Sequence, residues 1–451
     1  MATPAVLLVT YDFPPSLEMG AHACRQLGRH LPVHGWQPVV LTVQERYIAN
    51  RGREPRVDFP GPVIRTGMLP HPLALLAAAR ASLKLRRATD AAASEAPATD
   101  AVAARGRARR WALSLLKTPD EYTGWIVPAA RAGLAAIRQH HVAAILSSGP
   151  HWTNHLVGAV LRQRTGLPWV AHFRDPWTGI PQWKPVSALS SRIERRLERM
   201  VVRAAARVVC VTERHAELLR QLHPDLPADR VVTIPNGFDE TEWKDVGGER
   251  HRRGGPFVIT YAGSLYQRRN PLPVLRALRV LVDRGEVDPR RVRLDLVGWC
   301  DIAEGRRVRE IAEESGLAAR VTFTGPLERD ETLRRLVASD LLLLLAESQP
   351  FQIPGKTYEY LRAGRPILAL TSEGALAALL RKTGGAWIVA PGNDDALIVA
   401  VSDAYQRWRA GREGPTADPA QVASFDRRLL AGRLADILTT VSATAPSRAG
   451  A

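Results

Sequence analysis

The sequence predicts an α/β protein of two doubly wound, Rossmann-like domains facing one another across a cleft. Three observations carry that expectation. The chain has 451 residues, about three times the common domain size. Short apolar runs alternate with helix-period segments along most of its length. One stretch, TEWKDVGGERHRRGGP (241–256), is polar and glycine-rich without apolar period, as a linker between two such alternations would be.

AVLLVT near the start reads as a buried strand, followed by a Pro-rich turn and a helix from near Gly20 to Gly35. QPVVLTV (37–43) completes a β-α-β unit. HVAAILSSGP, LPWVAHFRD, ARVVCVTE and RVVTIPNG continue the alternation, each ending in polar or glycine residues where ligand loops of such sheets lie. These make a first domain over 1–240. A second, over 257–412, starts with the strand FVITYAGSL and the helix LPVLRALRVLVDRG. VRLDLVGWC, RVTFTGPL, DLLLLLAE, RPILALTS and GAWIVA supply further strands, and 413–451 holds a last helix and a tail.

Residues 72–118 break the pattern. They are Ala- and Arg-rich and read as a variable insertion, partly helical, with a disordered centre around 88–104. Inside it, RGRARRWALSLLK (105–117) joins a basic head to Trp111 and an apolar tail, the composition of a helix lying on an anionic bilayer. The same segment also suits a solvated helix packing Trp111 and Leu115 on its own domain. The net charge of +17 favours anionic surfaces or phosphate-bearing ligands and says nothing of fold. The basic residues are spread widely without a recognisable nucleic-acid module, so no nucleic-acid partner is expected.

Cys24, Cys210 and Cys300 are far apart with no CxxC spacing, which argues against a disulfide framework or a zinc site and for a reducing, cytoplasmic setting. The N-terminus lacks the charged head and long apolar core of a signal peptide. No apolar run approaches membrane-spanning length; the longest leucine run is Leu341–Leu345.

The motifs exclude several chemistries. GxxxxGK[ST], GxSxG, HExxH, D-x-D and a first-turn GxGxxG are all missing, which argues against P-loop NTPases, serine hydrolases, zincins and nicotinamide enzymes. What remains are four clusters at expected strand ends: YDFPPSLEMG (11–20), AHFRDPW (171–177), YAGSLYQRRNP (261–271) and PGKTYEYLRAGRP (354–366). In the last, Lys356 stands at the start of a short helix closed by Gly364, in a chain with only 6 lysines among 62 basic residues. An ammonium beside free helix-start amides suits a diphosphate. Glu359 can accept from ribose hydroxyls, or it can form a solvated pair with Lys356. Arg268 and Arg269 follow a strand and a glycine turn, a second place for phosphate. Asp175 stands at a strand end, either as a site residue or as a cap, and His172 lies on the strand as a site or core residue.

In their order along the chain these stretches, with VTERHAELL, VVTIPNGFDE, DLVGWC and VTFTGPL, resemble the family 4 glycosyltransferases of the GT-B fold, in the subgroup with a K-x-x-E-Y pattern. The resemblance covers most of the chain outside 72–118 and the last dozen residues. It implies transfer of a sugar from a nucleotide diphosphate sugar to an acceptor hydroxyl, with retention and without a metal or other cofactor. The donor would sit on residues 250–410, with Gly20, Gly263, Arg268, Arg269, Lys356, Tyr358 and Glu359 as binding residues. The acceptor (a saccharide, a lipid-linked sugar or a small molecule) would sit on the N-terminal half, beside Asp175, Arg174 and His172. FDRRLLAGRLADILTTV (425–441) would be a last helix crossing back to the first domain. Envelope polysaccharide or glycolipid synthesis on the inner membrane face is the setting expected.

Two departures stand out. The family's E-x7-E pair would put its first glutamate at 351, where this chain has Phe351; only Glu359 is kept. The family histidine aligns with Arg174 or Asp175, not with His172. Leaving-group stabilisation by Lys356, Arg268 or Arg269 is the main chemical demand, and removing one such donor costs on the order of 100-fold in rate. In a front-face retaining reaction the departing phosphate takes the acceptor proton, and Asp175 orients acceptor or sugar. A nucleotide-sugar epimerase of the same fold and a catalytically silent scaffold remain as alternatives.

Overall fold

The computed structural model describes residues 3–52, 59–70, 118–247, 255–266 and 268–444. The expected insertion up to 117, its basic segment 105–117 included, lies outside the described residues, as do 248–254 of the expected linker. The chain divides into two compact units. One comprises Met1–Val211, His215–Ile234 and Ala431–Ala451; the other comprises Thr212–Arg214 and Pro235–Leu430.

The first unit is built on seven parallel strands: β1 (Ala5–Val9), β2 (Gln37–Val43), β3 (Val63–Thr66), β4 (Val142–Gly149), β5 (Trp169–Phe173), β6 (Arg207–Cys210) and β7 (Val231–Thr233). Their order is β3-β2-β1-β4-β5-β6-β7. Parallel neighbours need crossover connections, and helices such as Met19–His30, Thr153–Thr165 and Ala188–Ala204 supply them. Every residue of β1 is buried, because a sheet covered on both faces needs apolar residues at odd and even positions alike. The strand order reverses between β1 and β4, which makes that point the natural ligand crevice. The first helix is shorter than its sequence suggests. It stops at His30, and Pro32, which has no N–H to donate, begins a 3-10 turn Leu31–His34 closed by Gly35.

The second unit carries β8 (Phe257–Ala262), β9 (Val292–Val297), a small hairpin of β10 (Ile302–Ala303) and β11 (Arg306–Arg307), then β12 (Val321–Gly325), β13 (Leu341–Ala346), β14 (Ile367–Thr371) and β15 (Ala386–Val389). The main sheet runs β12-β9-β8-β13-β14-β15, all parallel, and reverses between β8 and β13. The leucine run of β13 shows the two-sided packing directly. Leu341, Leu343 and Leu345 enter one core, with the helices Leu272–Asp283 and Asp394–Arg409. Leu342 and Leu344 enter the other, with the helices Arg329–Ala338, Lys356–Ala363 and Ala375–Thr383.

Residues 235–247 differ from the sequence expectation, which gave them to the first domain or the linker. They belong to the second unit. Phe238 N donates to Phe425 O at 3.1 Å, Trp243 is buried in the second unit's core, and Arg362 stacks 5.0 Å from the Trp243 ring. Two buried aromatics outweigh the polar composition around them. The last helix, Arg427–Ala443, starts in the second unit and passes into the first from Ala431 onward. Leu430, Ala431, Leu434, Ala435, Leu438 and Val441 form its buried stripe at helical spacing. Thr439 accepts from Trp36 Nε1 at 3.1 Å. No helix among the described residues is long and apolar enough to cross a membrane.

Candidate active site

In the second unit the site forms where β8 and β13 diverge. β8 ends at Ala262, whose N donates to the Tyr360 hydroxyl at 2.8 Å. Gly263 then turns the chain at φ +126, in the region that favours glycine. Lys356, the first residue of its helix, reaches over this turn. Its Nζ is enclosed, lies 3.9 Å from the centroid of the Tyr261 ring, and has no hydrogen-bond partner among the described residues. A Cβ on Gly263 would stand 2.5 Å from that nitrogen, so the glycine leaves the ammonium its room. Burial, and then the nearby Arg269 guanidinium, push the Lys356 ammonium down to about 7, against the smaller opposing pull of Cys300 and Glu359. Arg269 is itself buried and stacks 4.0 Å from the Tyr266 ring centroid; its Nε also has no partner among the described residues. The enclosed Lys356 ammonium and the buried Arg269 thus stand at one strand end, with Nζ and Nε unspent, an arrangement that asks for an anion.

Arg268 lies at the rim, exposed, and donates to Ser348 Oγ just past β13 at 3.1 Å. The other two predicted donor residues of the helix are engaged by protein. Glu359 Oε1 accepts from Arg329 at 2.8 Å, and Arg329 also donates to Glu242 Oε2 at 2.7 Å. Burial works against the Arg329 charge, yet the carboxylates of Glu359 and Glu242 hold its pKa above the ordinary arginine value. Tyr358 points into the core, its ring 5.1 Å from that of Phe425. The helix period explains the split: Lys356 and Tyr360 face the end of β8, whereas Tyr358 faces the last segment of the unit.

In the first unit the reversal between β1 and β4 holds a polar pair that the sequence reading missed. His151 Nε2 donates to Asp12 Oδ2 at 3.0 Å, with Asp12 three residues past β1 and His151 two past β4. Asn154 ties the two strand ends together: Tyr11 N donates to its Oδ1 at 3.0 Å, and its Nδ2 donates to Ser148 O at 2.6 Å. The Tyr122 ring packs at 3.9 Å from that of His151. Both residues are within reach of sequence reasoning, since each comes within three residues of the end of an apolar strand.

The predicted catalytic residues lie one strand further on, at β5. His172 is buried on the strand and shares a 3.1 Å hydrogen bond with Ser148 Oγ. Arg174 N donates to Gly149 O at 2.8 Å, and its guanidinium donates to Pro150 O. Gly20, at the start of the first helix, packs against that guanidinium so closely that a Cβ would overlap it. Asp175 is half-buried, two residues past β5. The first unit therefore brings Gly20 and Arg174 together, and the second brings Gly263, Arg269 and Lys356 together. Among the described residues no three His, Cys, Asp or Glu side chains converge as a metal cage would require.

Two parallel doubly wound units, with a cationic cluster at the strand ends of the second, are the architecture of a GT-B glycosyltransferase. Known proteins agree. The family model described as Glycosyltransferase Family 4 matches residues 96–242, and that described as Glycosyl transferases group 1 matches 256–407. A D-inositol 3-phosphate glycosyltransferase of Corynebacterium jeikeium is 26% identical over 63% of this chain and 70% of its own length. A 2-deoxystreptamine glucosyltransferase of Streptomyces kanamyceticus is 26% identical over 57% of this chain and 70% of its own. The crystal structure of Anabaena HepE in complex with UDP-glucose superposes with TM-score 0.54 at 16% identity, over 97% of each chain, a likeness of fold. These matches support a family 4 glycosyltransferase of the GT-B fold.

Proposed function

We propose that this chain transfers a sugar from a nucleoside diphosphate sugar to an acceptor hydroxyl, with retention at the anomeric carbon and without a metal ion or other cofactor. The observation that carries the donor side is the enclosed, unpartnered Nζ of Lys356 against Gly263, with Arg269 beside it. Such a pair is costly in the free protein and becomes favourable when a diphosphate supplies the counter-charge. The same groups then stabilise the departing nucleoside diphosphate, whose negative charge grows as the sugar leaves. Arg268 extends the positive rim. The reading sets the ribose beside Glu359, whose Oε1 is held by Arg329. HepE, of the same fold, binds UDP-glucose, which supports a nucleotide-sugar donor here.

On the acceptor side, Asp175 and Arg174 stand past β5, and Gly20 leaves room for the Arg174 guanidinium where a Cβ would overlap it. An envelope polysaccharide or glycolipid acceptor, reached from an anionic membrane face through residues 105–117, fits the net charge of +17. A thermal-shift panel of UDP, GDP, ADP and dTDP and their hexose derivatives tests the donor reading. A ligand at 100 times its Kd adds about 2.7 kcal/mol. One base should shift the wild type strongly and Lys356→Ala weakly; no shift with any nucleotide would overturn the assignment.

A further inference from the structure

We infer that Trp299 is the platform on which the nucleobase of the donor stacks, while Lys356 and Arg269 hold its diphosphate. The inference rests on the donor side of the transfer reading and adds a residue to it. Its ground is an exposed indole whose backbone is fixed to the turn that carries the cationic cluster.

β9 ends at Val297, and Gly298, Trp299 and Cys300 follow. Each of the three is tied to a neighbouring strand end. Gly298 N donates to Gly325 O, at the end of β12, at 2.9 Å. Its φ is +111, and a Cβ there would stand 2.6 Å from Gly263 O, so glycine is what lets the two turns touch. Trp299 O accepts from Leu265 N at 2.9 Å. Cys300 is buried, and its Sγ donates to Gly263 O at 3.2 Å. Gly263 is the residue whose missing Cβ leaves room for Lys356 Nζ. Trp299 is therefore held beside the Lys356 cluster through its main chain, and all these residues belong to the second unit.

Its side chain behaves differently. Trp299 is 65% exposed, whereas every other tryptophan among the described residues is buried or half-buried. Its backbone freedom is already spent, so a ring that stacks on it meets little further ordering cost. The sheet order says which part of a nucleotide would arrive there. Lys356 and Arg269 mark the diphosphate at the end of β8. Glu359, set beside the ribose, is held by Arg329, at the start of the helix that follows β12. β9 lies between β8 and β12 in the sheet, and Trp299 stands past its carboxyl end, the edge at which such sheets bind ligands. A nucleoside running from the one place to the other passes Trp299, and the base is the part of it with a π face of its own. Because every base presents such a face, the platform adds affinity without choosing among bases.

The test compares wild type with Trp299→Leu and Trp299→Phe. The probes are UDP, GDP, ADP and dTDP, and inorganic pyrophosphate, which has the two phosphates and no base. Affinities are read by calorimetry at one salt concentration. Both variants should melt at the wild-type temperature, because the side chain is exposed. Trp299→Leu should bind each nucleotide that the wild type binds about tenfold more weakly or worse, and Trp299→Phe should lose less. Pyrophosphate should bind all three proteins alike. Nucleotide should quench the tryptophan emission of the wild type more than that of Trp299→Phe, a signature that a merely structural residue would not give. Equal nucleotide affinity in wild type and Trp299→Leu would overturn the platform while leaving the donor site standing. So would a loss that pyrophosphate shares, which would mean that Trp299 serves the turn that holds Lys356. A wild type that binds pyrophosphate as tightly as any nucleotide would overturn it too. Failure of the wild type to bind pyrophosphate or any nucleotide would remove the donor reading, and this inference with it.

Discussion

The ammonium nitrogen of Lys356 lies 3.9 Å from the centroid of the Tyr261 ring, and that π face is its main protein counterpart. A ring quadrupole offsets only part of the cost of enclosing a charge. Lys356→Met keeps the stem's packing and removes the charge. The free variant should therefore melt no lower than wild type, while the nucleotide-induced shift falls to a small fraction of the wild-type value. A Met variant that is destabilised and still binds nucleotide would show that the lysine serves the fold.

The same lysine sets a pH dependence. Its pKa is about 7 in the folded protein, below the ordinary lysine value. Above pH 7 the free folded protein gives up this proton, while an unfolded chain keeps it to about 10.4. This group's contribution to stability therefore rises with pH across that window. A bound diphosphate holds the proton on. Binding should take up a proton above pH 7, and affinity should fall by up to about tenfold per pH unit there. Calorimetry in two buffers of different ionisation enthalpy at pH 8.5 measures the uptake. No uptake would mean that Lys356 does not meet the phosphates.

Much of this was legible beforehand. Strands betray themselves by apolar runs, and Gly263, Arg269 and Lys356 each stand where a strand or helix boundary can be read from neighbours. Pairings across long separations were not legible. Asp12 and His151 are 139 positions apart, and nothing local in YDFPP or SSGPHW says that one will meet the other. The pairing of Glu359 with Arg329, 30 residues earlier, is equally illegible, because Arg329 is one arginine among many. Tyr358 and Tyr360 are two apart on one short helix and both fully buried, yet packing gives one Phe425 and the other Ala262 N as neighbour. Trp243 stands in a stretch that reads as linker because its polar neighbours mask a single buried anchor.

Arg329 stands between Glu242 and Glu359. Arg329→Met would leave two carboxylates, each mostly buried, facing one another without a cation. We expect a loss of about 3 kcal/mol, read by urea unfolding at pH 7.5. The triple variant Arg329→Met, Glu242→Gln, Glu359→Gln should recover most of the stability at pH 7.5. Equal stability of single variant and wild type would mean the cluster is solvated.

Asn154 is fully buried and satisfies Tyr11 N and Ser148 O at once. Asn154→Leu fills similar space and leaves both backbone groups unpaired, each at about 1–3 kcal/mol. A loss of about 2–4 kcal/mol is expected, with nucleotide-induced stabilisation intact because Lys356 and Arg269 lie in the second unit. A neutral substitution would show that water or backbone movement replaces the amide.

Glu198 is buried at 1% exposure, takes a hydrogen bond from Thr178 Oγ1 on one oxygen, and has no partner for Oε1 among the described residues. Burial is the main cause that raises its pKa to about 7, against the opposing hydrogen bonds from Thr178. Between the ordinary glutamate value of about 4.3 and 7, the unfolded chain is ionised here while the folded one keeps its proton. Folding stability from this group is therefore fully present at low pH, falls as pH rises through that window, and stays low above 7. Glu198→Gln is an uncharged mimic of the protonated form. Its melting temperature should match wild type near pH 4 and exceed it by several degrees at pH 8, where the wild type must carry a poorly solvated carboxylate. A difference that is the same at both values would mean that Glu198 does not change protonation on folding, and that its burial is offset by groups not yet identified.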